Sequence, residues 1–225
     1  MKILGLNGSP RLKGNSIKLL TEALRGAQDA GAETEIVNLY KMNFKGCRSC
    51  FACKSKTPFY GKGCAMKDDF TKVMEDLLAA DAWIFATPIY NGHMSSSMSA
   101  LIERFYFSHH NYDAHERMVE KEYPSLLIYS MNGNPLFMEK MGIENSCKYD
   151  SFLFENAFGS CKYMVANATL QFDDYGKYHT AAVPIEKKMK YNAEHFPQDL
   201  ERAYNLGKEL ISRCSEKTSA PSLKL

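Results

Sequence analysis

The chain has little net charge and no long apolar run. Its 28 lysines and arginines nearly balance its 26 aspartates and glutamates, and the net charge of +2 is too small to indicate a nucleic-acid-binding protein. No run of about 18 apolar residues occurs, so we expect no transmembrane helix. The N-terminal segment MKILGLNGSPRLKG lacks the cleavage-site pattern of a signal peptide. We therefore expect a cytoplasmic protein that binds neither nucleic acid nor membrane.

Short apolar segments alternate with amphipathic helical patterns along all of the 225 residues. Five segments have the length and composition of buried strands, and they lie at 2–6, 33–40, 81–88, 124–130 and 161–172. Such alternation predicts an α/β fold, with a doubly wound, five-stranded parallel sheet and helices on both faces. We expect a single domain over 1–215, a flexible tail over 216–225 and a polar lid or insertion over 105–123.

In an open α/β sheet, ligands bind beyond the carboxyl ends of the strands, where the strand order reverses. Three loops meet that description, and they lie at 7–16, 87–97 and 130–135. The first, NGSPRLKGNS, combines glycines that allow close backbone approach with short donors, an arginine and the following helix N-terminus. It contains neither G-x-G-x-x-G nor the P-loop pattern. This chemistry favours a single terminal phosphate, as on FMN, with Ser9, Arg11, Asn15 and Ser16 as its ligands.

The second loop combines apolar and polar groups as a flavin ring requires. Its first half is apolar and its second half supplies donors near the polar edge of a ring. The predicted ring-lining residues are Pro88, Ile89, Tyr90, Asn91, Gly92 and His93. The third loop, with Asn132 and Gly133, is expected to close the far side of the same pocket.

Three stretches of the sequence together resemble a known family. They are KILGLNGSPRLKGNS, the cysteine segment beginning at Cys47, and DAWIFATPIYNGHMSSSMSALIERF. Over roughly residues 1–107 the chain is similar to the NADPH-dependent FMN reductase group of flavodoxin-like proteins, and within it to the iron–sulfur flavoproteins of anaerobes. The resemblance implies a flavodoxin-like fold, bound FMN and a homodimer or homotetramer. It also implies that the first loop holds the FMN phosphate and that the second lines the ring.

Four of the seven cysteines lie between residues 47 and 64. Cys47, Cys50 and Cys53 form C-x2-C-x2-C, the spacing of ferredoxin-type cluster loops, and Cys64 follows ten residues later. Similar family motifs place the fourth cysteine closer to the third. Three interpretations remain open for this cysteine loop: a [4Fe–4S] cluster, thiols without metal, and zinc or disulfides. The cluster is the preferred prediction, with all four thiolates as ligands.

These features predict a flavin-dependent oxidoreductase. The leading hypothesis is an iron–sulfur flavoprotein that moves electrons from a reduced donor, ferredoxin or NAD(P)H, to a small-molecule or protein acceptor. An NAD(P)H-dependent FMN or quinone reductase without a cluster is the alternative within the same class. A non-catalytic redox sensor that uses its flavin or its thiols is the alternative from another class. Flavin chemistry of this kind needs no catalytic side chain, and none is assigned.

Overall fold

The computed structural model describes residues 1–56, 63–114, 117–119 and 121–215. The predicted tail over 216–225 therefore lies outside the described residues. The same holds for 57–62 within the cysteine loop and for 115, 116 and 120 within the predicted lid.

Five parallel strands form the central sheet. They are β1 (Lys2–Asn7), β2 (Glu33–Asn38), β3 (Ala82–Tyr90), β5 (Ser125–Ser130) and β6 (Cys161–Ala166). Their spatial order is β2-β1-β3-β5-β6. This is the doubly wound order of flavodoxin-like folds, in which the first strand lies beside the third parallel strand and the order reverses. The predicted fold class is confirmed.

The strand count differs from the prediction because β3 continues beyond Pro88. It turns back at Asn91 and Gly92, and the two-residue strand β4 (His93–Met94) then pairs antiparallel with its end. Both turn residues have positive φ, 51° and 86°, as a two-residue Asn-Gly hairpin requires. The sheet therefore has six strands, five parallel and one short antiparallel.

Helices cover both faces of the sheet. On one face lie α1 (Asn15–Asp29) and α6 (Ile185–Ser215), and the other face carries α2 (Phe70–Ala79), α3 (Ser96–His109), α4 (Pro135–Lys140) and α5 (Ile143–Phe158). Strand side chains alternate between the two cores, so that Trp83 and Phe85 face the second group while Ile84 faces the first. Within the described residues, no helix has the length and apolar character needed to cross a bilayer.

The predicted lid over 105–123 begins inside α3, and this part of the prediction is wrong. Phe105 is fully buried and stacks on Phe158 with ring centroids 4.7 Å apart. His109 is also buried, and its Nδ1 forms a hydrogen bond of 2.8 Å with the carbonyl of Phe105. This hydrogen bond lets a polar ring end the helix inside the core. Helix α3 ends at His109.

Helices α1 and α6 pack backbone to backbone through two glycines. A Cβ at Gly26 would lie 2.0 Å from the carbonyl oxygen of Tyr204, and one at Gly207 would lie 1.8 Å from that of Ala23. Neither position can hold a side chain without separating the helices. The two glycines therefore set how closely α6 packs on α1.

We predict that Gly207→Ala lowers the free energy of unfolding by about 2 kcal/mol, because overpacking against backbone outweighs the roughly 1 kcal/mol by which alanine favours a helix. Urea denaturation followed by circular dichroism measures the change. Asn205→Ala, at an exposed position of the same helix turn, is the control and should change stability by less than about 0.5 kcal/mol. A Gly207 variant as stable as the control would contradict the close packing.

Candidate functional site

The three predicted loops meet at the carboxyl edge of the sheet. Strands β1, β3 and β5 are adjacent and parallel, so their following loops lie side by side. Two hydrogen bonds join the loops directly. The Ser95 hydroxyl donates to the carbonyl of Gly8, and the hydroxyls of Ser16 and Ser130 form a hydrogen bond of 2.8 Å. These two hydrogen bonds connect residues that are 87 and 114 positions apart in the sequence.

The first loop is shaped by its own polar side chains. The Ser9 N–H donates to Asn7 Oδ1 at 3.0 Å, and the Arg11 N–H donates to Ser9 Oγ at 3.2 Å. These are the local side-chain turns that serine and asparagine favour. Asn7 is fully buried and its amide also donates to Asn38 Oδ1 on β2 at 2.9 Å. Asn7 is therefore a loop-shaping residue that the sequence analysis did not single out.

The predicted phosphate ligands lie at or just before the N-terminus of α1, and two of them, Arg11 and Asn15, contact the segment that follows β6. Asn15 Nδ2 donates to the carbonyl of Leu170 at 2.8 Å, and one guanidinium nitrogen of Arg11 donates to the carbonyl of Gln171. Arg11 is exposed and retains further N–H donors, since a guanidinium has five. Ser16 is buried as the second residue of α1, which begins after Gly14.

A cavity of about 1230 Å³ lies beside these loops. Seven predicted ring-contacting residues line it: Ile89, Tyr90, Asn91, Gly92, His93, Asn132 and Gly133. Pro88 does not line it, because Pro88 is a buried residue of β3 in register with Ser130. The first-loop residues are also not among its walls. Its outer wall comes from the start of α5, from the connection between β6 and α6, and from the first turns of α6. The connection supplies Gln171 and Val183, and α6 supplies Lys187, Lys188 and Tyr191.

Lys188 is the clearest residue of this cavity that the sequence analysis missed. Its side chain is 8% exposed, and Nζ donates to the carbonyl of Asn132 at 2.7 Å. Burial lowers the pKa of Lys188 to about 8. Its partner lies 56 residues away, so no local pattern in the sequence could have revealed the contact.

A smaller cavity of about 560 Å³ lies between α3 and α5. It shares Ile89, Gly92, His93 and Ser146 with the larger one. On its wall the Tyr129 hydroxyl donates to Asp150 Oδ2 at 2.8 Å. Burial raises the pKa of both Asp150 and Tyr129, so each group holds its proton more tightly than it would in water.

The first three cysteines lie on a tightly turned segment. Ser49 and Phe51 both have left-handed backbone conformations, with φ of 52° and 55°. The Ser49 N–H donates to Cys47 Sγ at 3.4 Å. A hydrogen bond from the Ala52 backbone lowers the pKa of Cys50, which is exposed. The local backbone therefore already presents N–H groups to sulfur, an arrangement that stabilises thiolates.

Arg104 on α3 joins the two ends of the cysteine loop. Its side chain is 1% exposed and donates to both oxygens of Asp68, at 2.7 and 2.9 Å. It also donates to the carbonyls of Lys45 and Met66, each at 3.2 Å. Burial opposes its charge, yet hydrogen bonds with Asp68 and Cys64 raise the pKa of Arg104. The arginine thus anchors the loop on both sides, which the sequence alone did not indicate.

The predicted metal ligands are not gathered around one point. All seven cysteines are free thiols. Over the described ranges, which omit 57–62, no group of three or more histidine, cysteine, aspartate or glutamate side chains is arranged to hold a metal ion. The donor set fits an iron–sulfur cluster in type, because four thiolates are its usual ligands, but the arrangement does not. The cluster prediction is therefore not confirmed by the structure.

A family model described as NADPH-dependent FMN reductase matches residues 1–130. The match includes the first two predicted loops and the whole cysteine loop. It ends where β5 ends, so the third loop, α5, β6 and α6 lie beyond it.

Two relatives each match a little under half of the chain. An iron–sulfur flavoprotein of Methanocaldococcus jannaschii is 35% identical over 104 residues, which are 46% of this chain and 51% of the relative. An iron–sulfur flavoprotein of Archaeoglobus fulgidus is 38% identical over 105 residues, 46% of this chain and 48% of the relative. The chain thus spans about half the length of the curated relatives it matches.

Among solved structures, the NAD(P)H:quinone oxidoreductase from Methanothermobacter marburgensis has a similar fold. It superimposes with a TM-score of 0.66 over 94% of this chain and 97% of that chain, at 18% sequence identity. Identity this low supports the fold and no more.

Proposed function

The chain belongs to the NADPH-dependent FMN reductase family, and from this premise we propose that it is an FMN-dependent oxidoreductase. One observation carries the proposal. The two loops predicted to contact a flavin ring, 39 or more residues apart in sequence, line a single cavity at the carboxyl edge of the sheet. This edge is where α/β sheets of this order bind their ligands.

In the proposed complex the first loop takes the phosphate of FMN. Ser9, Arg11, Asn15 and Ser16 surround the N-terminus of α1, where backbone N–H groups and the positive end of the helix favour an anion. Ile89, Tyr90, Asn91, Gly92 and His93 would border the ring on one side, with Asn132 and Gly133 opposite. Bound FMN would supply the redox chemistry, accepting two electrons as hydride and releasing them singly or together.

The cavity is larger than one flat ring requires. Its volume of about 1230 Å³ exceeds the roughly 300–1,000 Å³ typical of sites for one small molecule. We infer that a second flat molecule binds beside the flavin. NAD(P)H is the proposed donor, with ferredoxin as the alternative donor, and the acceptor is a small molecule such as a quinone or a protein. The homo-oligomeric state and the cytoplasmic location remain predictions.

We predict that replacing Arg11 and Ser16 by alanine weakens FMN binding by about 10- to 100-fold, through lost charge-assisted hydrogen bonds to phosphate. Fluorescence titration of apoprotein measures the affinity. Riboflavin, which lacks the phosphate, should bind both proteins equally. Lys13→Ala, at an exposed lysine of the same loop, should change FMN affinity little. An unchanged FMN affinity in the double variant would exclude the phosphate assignment.

Catalytic turnover separates the enzyme from a redox sensor. We predict that NAD(P)H bleaches the bound flavin under anaerobic conditions and that a quinone then restores the oxidised spectrum over many cycles. Stopped-flow absorbance measures the two half-reactions separately. Flavin that binds tightly but is reduced by no donor, nicotinamide or ferredoxin, would instead favour the sensor.

We also propose that Cys47, Cys50, Cys53 and Cys64 hold a [4Fe–4S] cluster. Support comes from the four free thiols, from the N–H groups directed at Cys47 and Cys50, and from relatives that are named iron–sulfur flavoproteins. Cys64 would have to exchange its contact with Arg104 for iron. Arg104 and Asp68 would still hold the base of the loop.

The cluster proposal predicts about four irons and four acid-labile sulfides per chain in protein purified without oxygen. Cys50→Ser should lose most of both, whereas Cys214→Ser, far along α6, should retain them. Colorimetric iron and sulfide assays with protein quantified by amino-acid analysis give the ratio. If neither element is present while FMN is bound, the cysteines are thiols and the protein is a reductase without a cluster.

A further inference from the structure

The cavity of about 1230 Å³, which is the proposed flavin cavity, is lined by a buried lysine without a counter-ion. Lys188, in the first turns of α6, is 8% exposed, and its ammonium has one hydrogen bond, to the carbonyl of Asn132 at 2.7 Å. Among the described residues no carboxylate lies within ion-pair distance of it, and burial is the only cause acting on its pKa. Asn132 belongs to the third loop, which is one wall of the proposed ring site.

The charges around this cavity have one sign. Its walls include Lys187 and Lys188, and none of its described lining residues is an aspartate or glutamate. A buried ammonium without a partner charge is unfavourable, so a cavity that retains one is suited to an anionic ligand. At pH 7 a lysine with a pKa of about 8 remains mostly protonated, and the charge is therefore available.

A flavin ring becomes an anion during the proposed reaction. Hydride transfer moves two electrons and one proton from the nicotinamide, which leaves as its oxidised cation. The neutral ring gains the negative charge, which is centred on its pyrimidine edge. Cationic groups near that edge tune the reduction potential of flavins. Polar loop residues such as Asn132 are the expected neighbours of the same edge.

We propose that Lys188 is a cofactor-binding residue whose ammonium faces the pyrimidine edge of the flavin and stabilises the anionic reduced ring. The inference rests on the proposed function and adds a residue to it. Lys188 lies outside residues 1–130, so the region matched by the family model does not contain it. The competing explanation is structural: Lys188 only ties α6 to the third loop through the Asn132 carbonyl.

Two neutral variants separate charge from structure. Lys188→Gln keeps a donor for the Asn132 carbonyl but removes the charge, and Lys188→Met removes both. Lys188→Arg keeps the charge. Lys190→Met, at an exposed position of the same helix, is the control for a lost surface lysine. Circular dichroism and thermal melting of each holoprotein verify that it is folded.

The measurement is an anaerobic redox titration of bound FMN at pH 7, alongside fluorescence titration with oxidised FMN. We expect both neutral variants to weaken the preference for reduced over oxidised flavin about tenfold, which lowers the two-electron potential by about 30 mV. Lys188→Arg should retain most of the wild-type potential, and Lys190→Met all of it.

The outcomes distinguish this inference from the proposed function. If Lys188→Gln binds FMN with an unchanged potential, Lys188 is a structural tie and the inference is overturned. Suppose instead that the potential of the Lys188→Gln variant is unchanged, while its KM rises for an anionic quinone sulfonate and not for a neutral quinone. The charge of Lys188 then serves the second substrate, and this result also overturns the inference. If the wild-type protein binds no FMN, the proposed function itself fails first.

Discussion

The parallel pairing of β1, β3 and β5 is the constraint on which the site depends. Each strand contributes one loop to the same edge of the sheet, so segments more than 100 residues apart in sequence become neighbours. The strands are buried on both faces, and a shift of register by one residue would move Trp83 and Phe85 to the wrong core. Hydrophobic burial therefore holds the loops in position, and their own polar side chains determine their local shape.

The second half of the chain completes the cavity whose first walls come from loops of the first half. The family match ends with β5, yet the outer wall of the cavity is built from α5, the segment after β6 and the start of α6. The first turns of helix α6 form part of this wall, and further along the same helix its backbone packs directly on α1 at Gly26 and Gly207. The region beyond the family match therefore determines the size and the charge of the cavity, although other walls of that cavity come from the matched region.

The cysteine loop is held by a different principle, a buried charge pair. Arg104 is removed from solvent and bonds both oxygens of Asp68. Removing one member of such a pair leaves an uncompensated buried charge, which costs much more than losing an exposed ion pair. The same guanidinium donates to carbonyls on both sides of the four cysteines, those of Lys45 and Met66, and therefore ties the two ends of the loop together.

Local chemistry in the sequence determined where the five parallel strands lie, the turn of the first loop, and the seven loop residues that line the cavity. These features depend on neighbours a few positions away or on alternation along one strand. The tertiary structure alone decided that β3 continues past Pro88 into a short hairpin, and that α3 continues to a buried His109. It also decided that Lys188 bonds the third loop and that Arg104 bonds both ends of the cysteine loop. The partners of Lys188 and Arg104 lie 36 to 59 residues away in the sequence, and no hydrophobic periodicity indicates a contact between a single charged side chain and a distant carbonyl.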